Sequence, residues 1–209
     1  MDSDQLLNDP ETSLRLALDG RQSQMWTAMP ALVTKVNWTA MTLEVQPATM
    51  GIITDETGKD SNVKLPLLVD VPICFCGAGN FILTMPVVVG DEVLVIFSSR
   101  CIDAWHQQGG VQPQAEFRMH DLSDGFAILG PKSIPNIIPN ISQNSAQLRN
   151  AAGSVFLEIT NSGINIKGNV NVTGTIVASG EITGNSIPLS GHIHPGVTTG
   201  GGDTGAPLP

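Results

Sequence analysis

Charge is scarce in this sequence. Lys, Arg, Asp and Glu make up 14% of its 209 residues, little more than half of the roughly 25% usual for a soluble domain. The ten Lys and Arg residues are scattered between Arg15 and Lys167, and the formal net charge is −9. Affinity for nucleic acid rests on neutralising phosphates with basic side chains, so this composition argues against such a partner. Long apolar runs are missing too: no segment approaches the roughly 18 uninterrupted apolar residues of a membrane span. The start, Met1-Asp2-Ser3-Asp4, lacks the basic opening of a signal peptide. A protein assembled in a cytoplasm is expected, leaving it only as part of something larger. Three cysteines, an odd number in a long chain, do not suggest a disulfide framework.

What is present points to an ordered, β-rich protein. Hydrophobic residues at 41% together with 22 glycines reach the globular level of about 45–50%. Disordered chains combine low hydrophobicity with high charge, and coiled coils need abundant Ala, Glu, Lys, Leu and Arg. Both classes are excluded.

Residues 1–30 read as a helical segment. Leu14, Leu18, Met25 and Met29 recur at spacings of about four and seven, which predicts a helix over 11–29 with Pro30 as its stop. Thr12 or Ser13 is the expected cap. Residues 31–130 read as strands: Val33, Val36 and Trp38, then Leu43 and Val45, then Val63 to Val69, Phe81-Ile82-Leu83, and Val93 to Phe97. About five β-rich segments separated by Gly and Pro turns predict a small barrel or sandwich, and an OB-fold barrel fits the size. Residues 131–150, with Pro131, Pro135, Pro139 and many amides, read as a linker, where proline forbids a central strand.

From Ala151 the pattern is strict. Ile164, Ile166, Gly168, Val170, Val172, Gly174, Ile176, Ala178, Gly180, Ile182 and Gly184 hold the even positions, while Asn, Thr, Ser, Lys and Glu dominate the odd ones. That is strand alternation with a six-residue glycine repeat imposed on it. Only Glu158, Lys167, Glu181 and Asp203 are charged from Ala151 onward. Such a ladder cannot bury its apolar face alone, and a monomer would expose strand edges and a hydrophobic stripe. A single-chain β-helix would need more rungs, so residues 151–190 are expected to form the shaft of an intertwined oligomer.

Residues 191–209 carry the chemistry. His192 and His194 are two apart, so on an extended strand both imidazoles point the same way. They keep the register of the apolar face. Three chains around a threefold axis would supply six imidazole nitrogens, an octahedral set suited to iron or nickel, whereas zinc prefers four ligands. With no open position, such a site is structural. The plainer reading is two surface histidines in a Gly-rich tail.

Other candidates favour packing over chemistry. Cys74-x-Cys76 with Cys101, His106 and His120 lacks the usual zinc spacing, and cysteine is commonly a small buried hydrophobe. Asp121 and Asp124 read as turn or cap residues. Asp103 with His106 has no accompanying nucleophile motif. Trp26, Trp38 and Trp105 read as core or subunit contacts. An enzyme, such as a β-helical depolymerase, would need grouped acids on the shaft, yet Glu158 and Glu181 stand apart. A receptor-binding fibre would show aromatics, and Phe156 is the only one after Phe126.

Several stretches resemble one family. Phe81-Ile82-Leu83-Thr84-Met85-Pro86, Val89-Gly90-Asp91-Glu92-Val93, Ile102-Asp103-Ala104-Trp105 and Arg118 to Phe126 lie in the barrel region. Gly191-His192-Ile193-His194-Pro195-Gly196 and the Gly-rich Thr199 to Gly205 lie at the tip. In these stretches the chain is similar to the membrane-piercing central spike proteins of contractile phage tails. The resemblance implies an all-β homotrimer: an N-terminal OB-fold, a trimeric β-helix and a pointed tip. It implies a single structural iron held by His192 and His194 of all three chains. The implied partners are baseplate hub and tail tube proteins and, transiently, the host outer membrane, with no small-molecule substrate. The implied location is the virion's tail baseplate tip, and the implied role is mechanical, not enzymatic. Against the family pattern, no lysozyme domain is evident here and the shaft is short.

Overall fold

Asp9 opens the first helix as its cap. In the computed structural model, which describes residues 9–192 and Gly200, its carboxylate accepts from the backbone N–H of Glu11 at 3.3 Å and Thr12 at 3.2 Å. Pro10, with no N–H to satisfy, takes the first helical position. Helix α1 runs Pro10–Gln22 and buries none of its residues. Two expectations are corrected here: the cap is Asp9, not Thr12 or Ser13, and the helix stops before Met25 and Met29. Both methionines lie beyond it, and Met29 is a core residue of the first strand.

The chain divides into two compact units, Met1–Pro139 and Asn140–Pro209. In the first, the strands are β1 (Ala28–Asn37), β2 (Thr42–Pro47), β3 (Met50–Thr54), β4 (Asp60–Lys64) and β5 (Leu68–Cys74). They continue with β6 (Cys76–Ala78), β7 (Phe81–Leu83), β8 (Glu92–Phe97), helix α2 (Asp103–Gln108) and β9 (Gly125–Leu129). Strands β1, β2, β5, β9 and β8 close, in that order, into a barrel. All its pairings are antiparallel except β5 with β9, which is parallel. The choice between barrel and sandwich is thereby decided. The stretch Val63 to Val69, expected to run on as strand, is split: β4 ends at Lys64 and β5 starts at Leu68, with Pro66 between them.

Period-two alternation builds the core. Met29, Ala31 and Val33 on β1 point inward, as do Val93, Val95 and Phe97 on β8. They meet Leu43, Val45, Leu68, Val71, Val87 and Ala127 in one cluster. After Val33 the even spacing would send Lys35 into this apolar interior. A register shift between Val33 and Lys35 prevents that. The extra residue, Thr34, turns Lys35 outward to an ion pair with Glu44 at 2.6 Å and brings Val36 against the core. Gly125 is needed where β9 crosses β8: a Cβ there would stand 2.7 Å from a methyl of Val95.

In the second unit, β10 (Ala146–Arg149), β11 (Phe156–Thr160) and β12 (Gly163–Lys167) form an antiparallel sheet. Strand β10 falls inside the stretch expected to be linker, as the edge strand of its sheet. A two-stranded hairpin follows, β13 (Thr183–Gly184) and β14 (Ile187–Pro188). The β-helix expected of residues 151–190 is not seen within one chain. Residues 168–182 form no strand, and Ile164, Val170, Val172, Ile176 and Ile182 are all exposed. The physical reason is the one the alternation gives: a single chain has nothing to lay against that face. No helix among the described residues is long and apolar enough to cross a membrane.

Candidate metal centre

The described chain approaches its histidine pair through the β13–β14 hairpin. Asn185 and Ser186 at its turn both take left-handed backbone angles, φ 48° and 66°, the requirement of a two-residue type I′ connection. The hairpin returns the chain so that Leu189 N–H donates to the Ile182 carbonyl at 2.8 Å. Beside it, the Glu181 carboxylate accepts from Ser190 N–H at 3.1 Å and from the Ser190 hydroxyl. These hydrogen bonds hold the Glu181 carboxyl below the usual carboxylate range, the Ser190 hydroxyl contributing most.

His192 follows at once. It is exposed, and its Nδ1 lies 2.8 Å from the Leu189 carbonyl oxygen. A carbonyl only accepts, so Nδ1 carries the proton of this bond. In the neutral ring Nε2 is then the nitrogen that carries the lone pair. A metal-binding histidine is ordinarily oriented in this way, its other nitrogen bonded to a carbonyl or carboxylate. The His192 imidazole therefore fits a metal ligand by donor chemistry. His194 lies outside the described residues.

The remaining sequence candidates part company. Cys74, Cys76, Cys101, His106 and His120 are not gathered into a site. All three cysteines are free thiols. Burial pushes the Cys74 thiol up, while Cys76 is exposed, which corrects its reading as a core residue. His106 is exposed on α2 beside Trp105, its ring centroid 6.4 Å away. His120 offers its carbonyl to Trp26 N–H at 3.1 Å. Trp26 packs against the core, whereas Trp38 and Trp105 are largely exposed, Trp105 lying edge-on to Phe126 at 5.5 Å.

Among the described residues, Cys101, Asp103 and Asp124 bring their donor atoms within 4.8 Å of one another. A cation already fills that space. Arg118 Nη2 donates to Asp124 Oδ1 at 3.0 Å, Asp103 Oδ2 at 2.9 Å and Cys101 Sγ at 3.2 Å. Asp103 thus serves Arg118 and makes no dyad with His106. Asp121 is a turn residue, as expected, accepting from Ser123 N–H at 2.9 Å. Asp124 does more than the expected turn or cap role. It is fully buried and also accepts from Ile102 N–H at 3.0 Å, ahead of α2. Sequence reading missed Arg118 as a structural centre, because its partners stand up to 17 positions away.

Residues 29–130 match the phage protein Gp138 N-terminal domain, and residues 187–207 match the GpV apex motif. Together the two matches support a phage tail spike protein. The first match coincides with the closed barrel, and the second begins on β14 and takes in both histidines. No curated protein matches the chain. Domains of these two kinds imply a virion component and a phage tail assembly context.

Proposed function

We propose that three copies of this chain form the central spike of a contractile phage tail, and that the spike pierces the host outer membrane when the sheath contracts. The observation that carries this reading is the apolar face of the shaft. Residues from Ile164 to Ile182 repeat strand alternation with glycine every sixth position, and one chain leaves that face bare. Three chains winding these faces onto a common axis, as an intertwined β-helix, bury it. The hydrophobic effect then drives assembly at roughly 25 cal/mol per Å² of apolar surface removed from water.

In this reading His192 and His194 of each chain hold a structural iron at the apex. The metal ties together three chain ends of a kind that otherwise fray. The barrel is an OB-fold: with its five strands numbered in chain order, their order around the barrel is 1-2-3-5-4, with the parallel pairing between the third and fifth. It is the platform for hub and tail tube proteins. The role is mechanical, not enzymatic. The scarcity of charge on the shaft lowers the cost of carrying it through hydrocarbon.

Native mass spectrometry of the untagged protein, with and without the paired substitutions His192→Ala and His194→Ala, tests this. The expected result is a trimer with a single iron, and a metal-free trimer with blunted infectivity for the double variant. A monomeric wild type overturns the shaft, and iron retained by the double variant overturns the ligand assignment.

A further inference from the structure

The shaft is almost uncharged, yet one acid sits just ahead of the tip. Glu181 stands on the polar face of the alternation, eleven residues before His192 in the sequence. Its carboxylate grips both donors of Ser190, the backbone N–H at 3.1 Å and the side-chain hydroxyl. The next backbone link in the same place is Leu189 N–H to the Ile182 carbonyl at 2.8 Å. Leu189 therefore has its N–H pinned to the residue after Glu181, and the residue after Leu189 pinned to Glu181 itself. The carbonyl of that doubly held Leu189 is the group that faces Nδ1 of His192 at 2.8 Å.

Two sets of hydrogen bonds, joined through the Leu189–Ser190 peptide group, thus connect one carboxylate to one imidazole. We propose that Glu181, through Ser190 and Leu189, is the positioning residue that fixes the tautomer and ring orientation of His192 for metal binding. The proposal rests on the reading of His192 as a metal ligand. A neutral acceptor could satisfy one Ser190 donor, but the carboxylate satisfies both, and bonds to a charged acceptor are about twice as strong as neutral ones. This gives a physical reason for a charge at a position where the surrounding sequence avoids it.

The test measures release of iron from the purified full-length protein into excess chelator at neutral pH. Loss of an outer partner of a metal-bound histidine typically costs about 10- to 100-fold in metal affinity. Glu181→Leu is expected to release iron faster by about that factor, with trimer mass unchanged. Glu181→Gln, which keeps an acceptor oxygen, is expected to fall between Glu181→Leu and wild type. Ser190→Ala is expected to speed release, and combining it with Glu181→Leu to add little, since both break the same clasp. Wild-type release from Glu181→Leu, or full additivity of the two, overturns the proposal. If Glu181→Leu fails to assemble, Ser190→Ala decides, and wild-type release from it overturns the proposal. Failure of the underlying reading is separate: it shows as a wild type without iron, or as iron retained after both histidines are replaced.

Discussion

Arg118 and Asp124 meet as a two-pronged pair. Nε donates to Oδ2 at 3.1 Å and Nη2 to Oδ1 at 3.0 Å. Asp124 is fully buried, and Arg118 has 22% of its side chain exposed. The hydrogen bonds that Arg118 donates to Asp124 and Asp103 raise its pKa further above its already high ordinary value, so the guanidinium stays charged. The pair ties three pieces of chain together: the start of α2 through Ile102 and Asp103, the loop that carries Arg118, and the start of β9, where Asp124 precedes Gly125.

Asp124 is the buried end of this pair, whereas Arg118 keeps Asp103 and Glu116 as partners when Asp124 is removed. Asp124→Ala is expected to destabilise the barrel by about 1–3 kcal/mol, because it leaves donors of Arg118 and the Ile102 N–H without their acceptor. Arg118→Lys is expected to be damaging too, because an ammonium cannot reproduce the planar fork that reaches both oxygens. Urea unfolding at fixed protein concentration, followed by tryptophan fluorescence, measures both. Wild-type midpoints for the two variants would show that the pair contributes nothing to stability.

Gly125 makes a packing prediction of a different kind. A methyl added there meets Val95 Cγ1 at 2.7 Å, inside a core that is already full. Gly125→Ala is expected to cost about 1–3 kcal/mol through overpacking. Val95→Ala costs stability alone by leaving a cavity, yet together with Gly125→Ala it is expected to cost less than the two losses added. A double-mutant cycle from thermal or urea unfolding reads the coupling.

Much of the barrel was legible because its strands alternate. Val93, Val95 and Phe97 announce an inward face directly, and the histidine pair is visible as spacing alone. Met29 fits two patterns in the sequence, because a spacing of four is close to one helical turn and is also an even number. Leu14, Leu18, Met25 and Met29 therefore satisfy a helical pattern, while Met29, Ala31 and Val33 satisfy a strand. The packing against β8 decides for the strand. The Thr34 bulge and the Arg118 cluster were not legible, since both depend on which distant segments become neighbours. The shaft is only half legible, because one chain leaves its apolar face bare.

That pattern separates two substitutions one residue apart. Val172→Asp places a charge on the apolar face of the shaft, whereas Asn171→Asp places it on the polar face. Burying an unpaired carboxylate among apolar side chains carries a penalty of several kcal/mol. Val172→Asp is therefore expected to abolish the proposed trimer while the barrel still folds, and Asn171→Asp to leave its assembly intact. Light scattering coupled to size-exclusion chromatography distinguishes them. Equal behaviour of the two would mean that the alternation does not define the interface.

Glu158 gives the pH prediction. It sits in the middle of the three-stranded sheet, directly opposite Gln147 on β10 and Asn165 on β12. Its Oε1 accepts from the Ser145 hydroxyl at 2.5 Å and Gln147 Nε2 at 2.8 Å, and its Oε2 from Asn165 Nδ2 at 3.0 Å. These donors favour the ionised form and hold the carboxyl below its ordinary value, the Ser145 hydroxyl contributing most. A group whose folded pKa is depressed stabilises the fold fully above the unfolded value, about 4.3 for glutamate, and loses that contribution as pH falls through the folded value. Glu158→Gln keeps the shape and removes the charge. Its melting temperature is expected to lie below wild type at pH 6–7, with the gap narrowing once the pH drops under about 4 and closing at still lower pH. Circular dichroism melts of both proteins across that range measure the gap. A gap of constant size would assign the loss to geometry instead of charge.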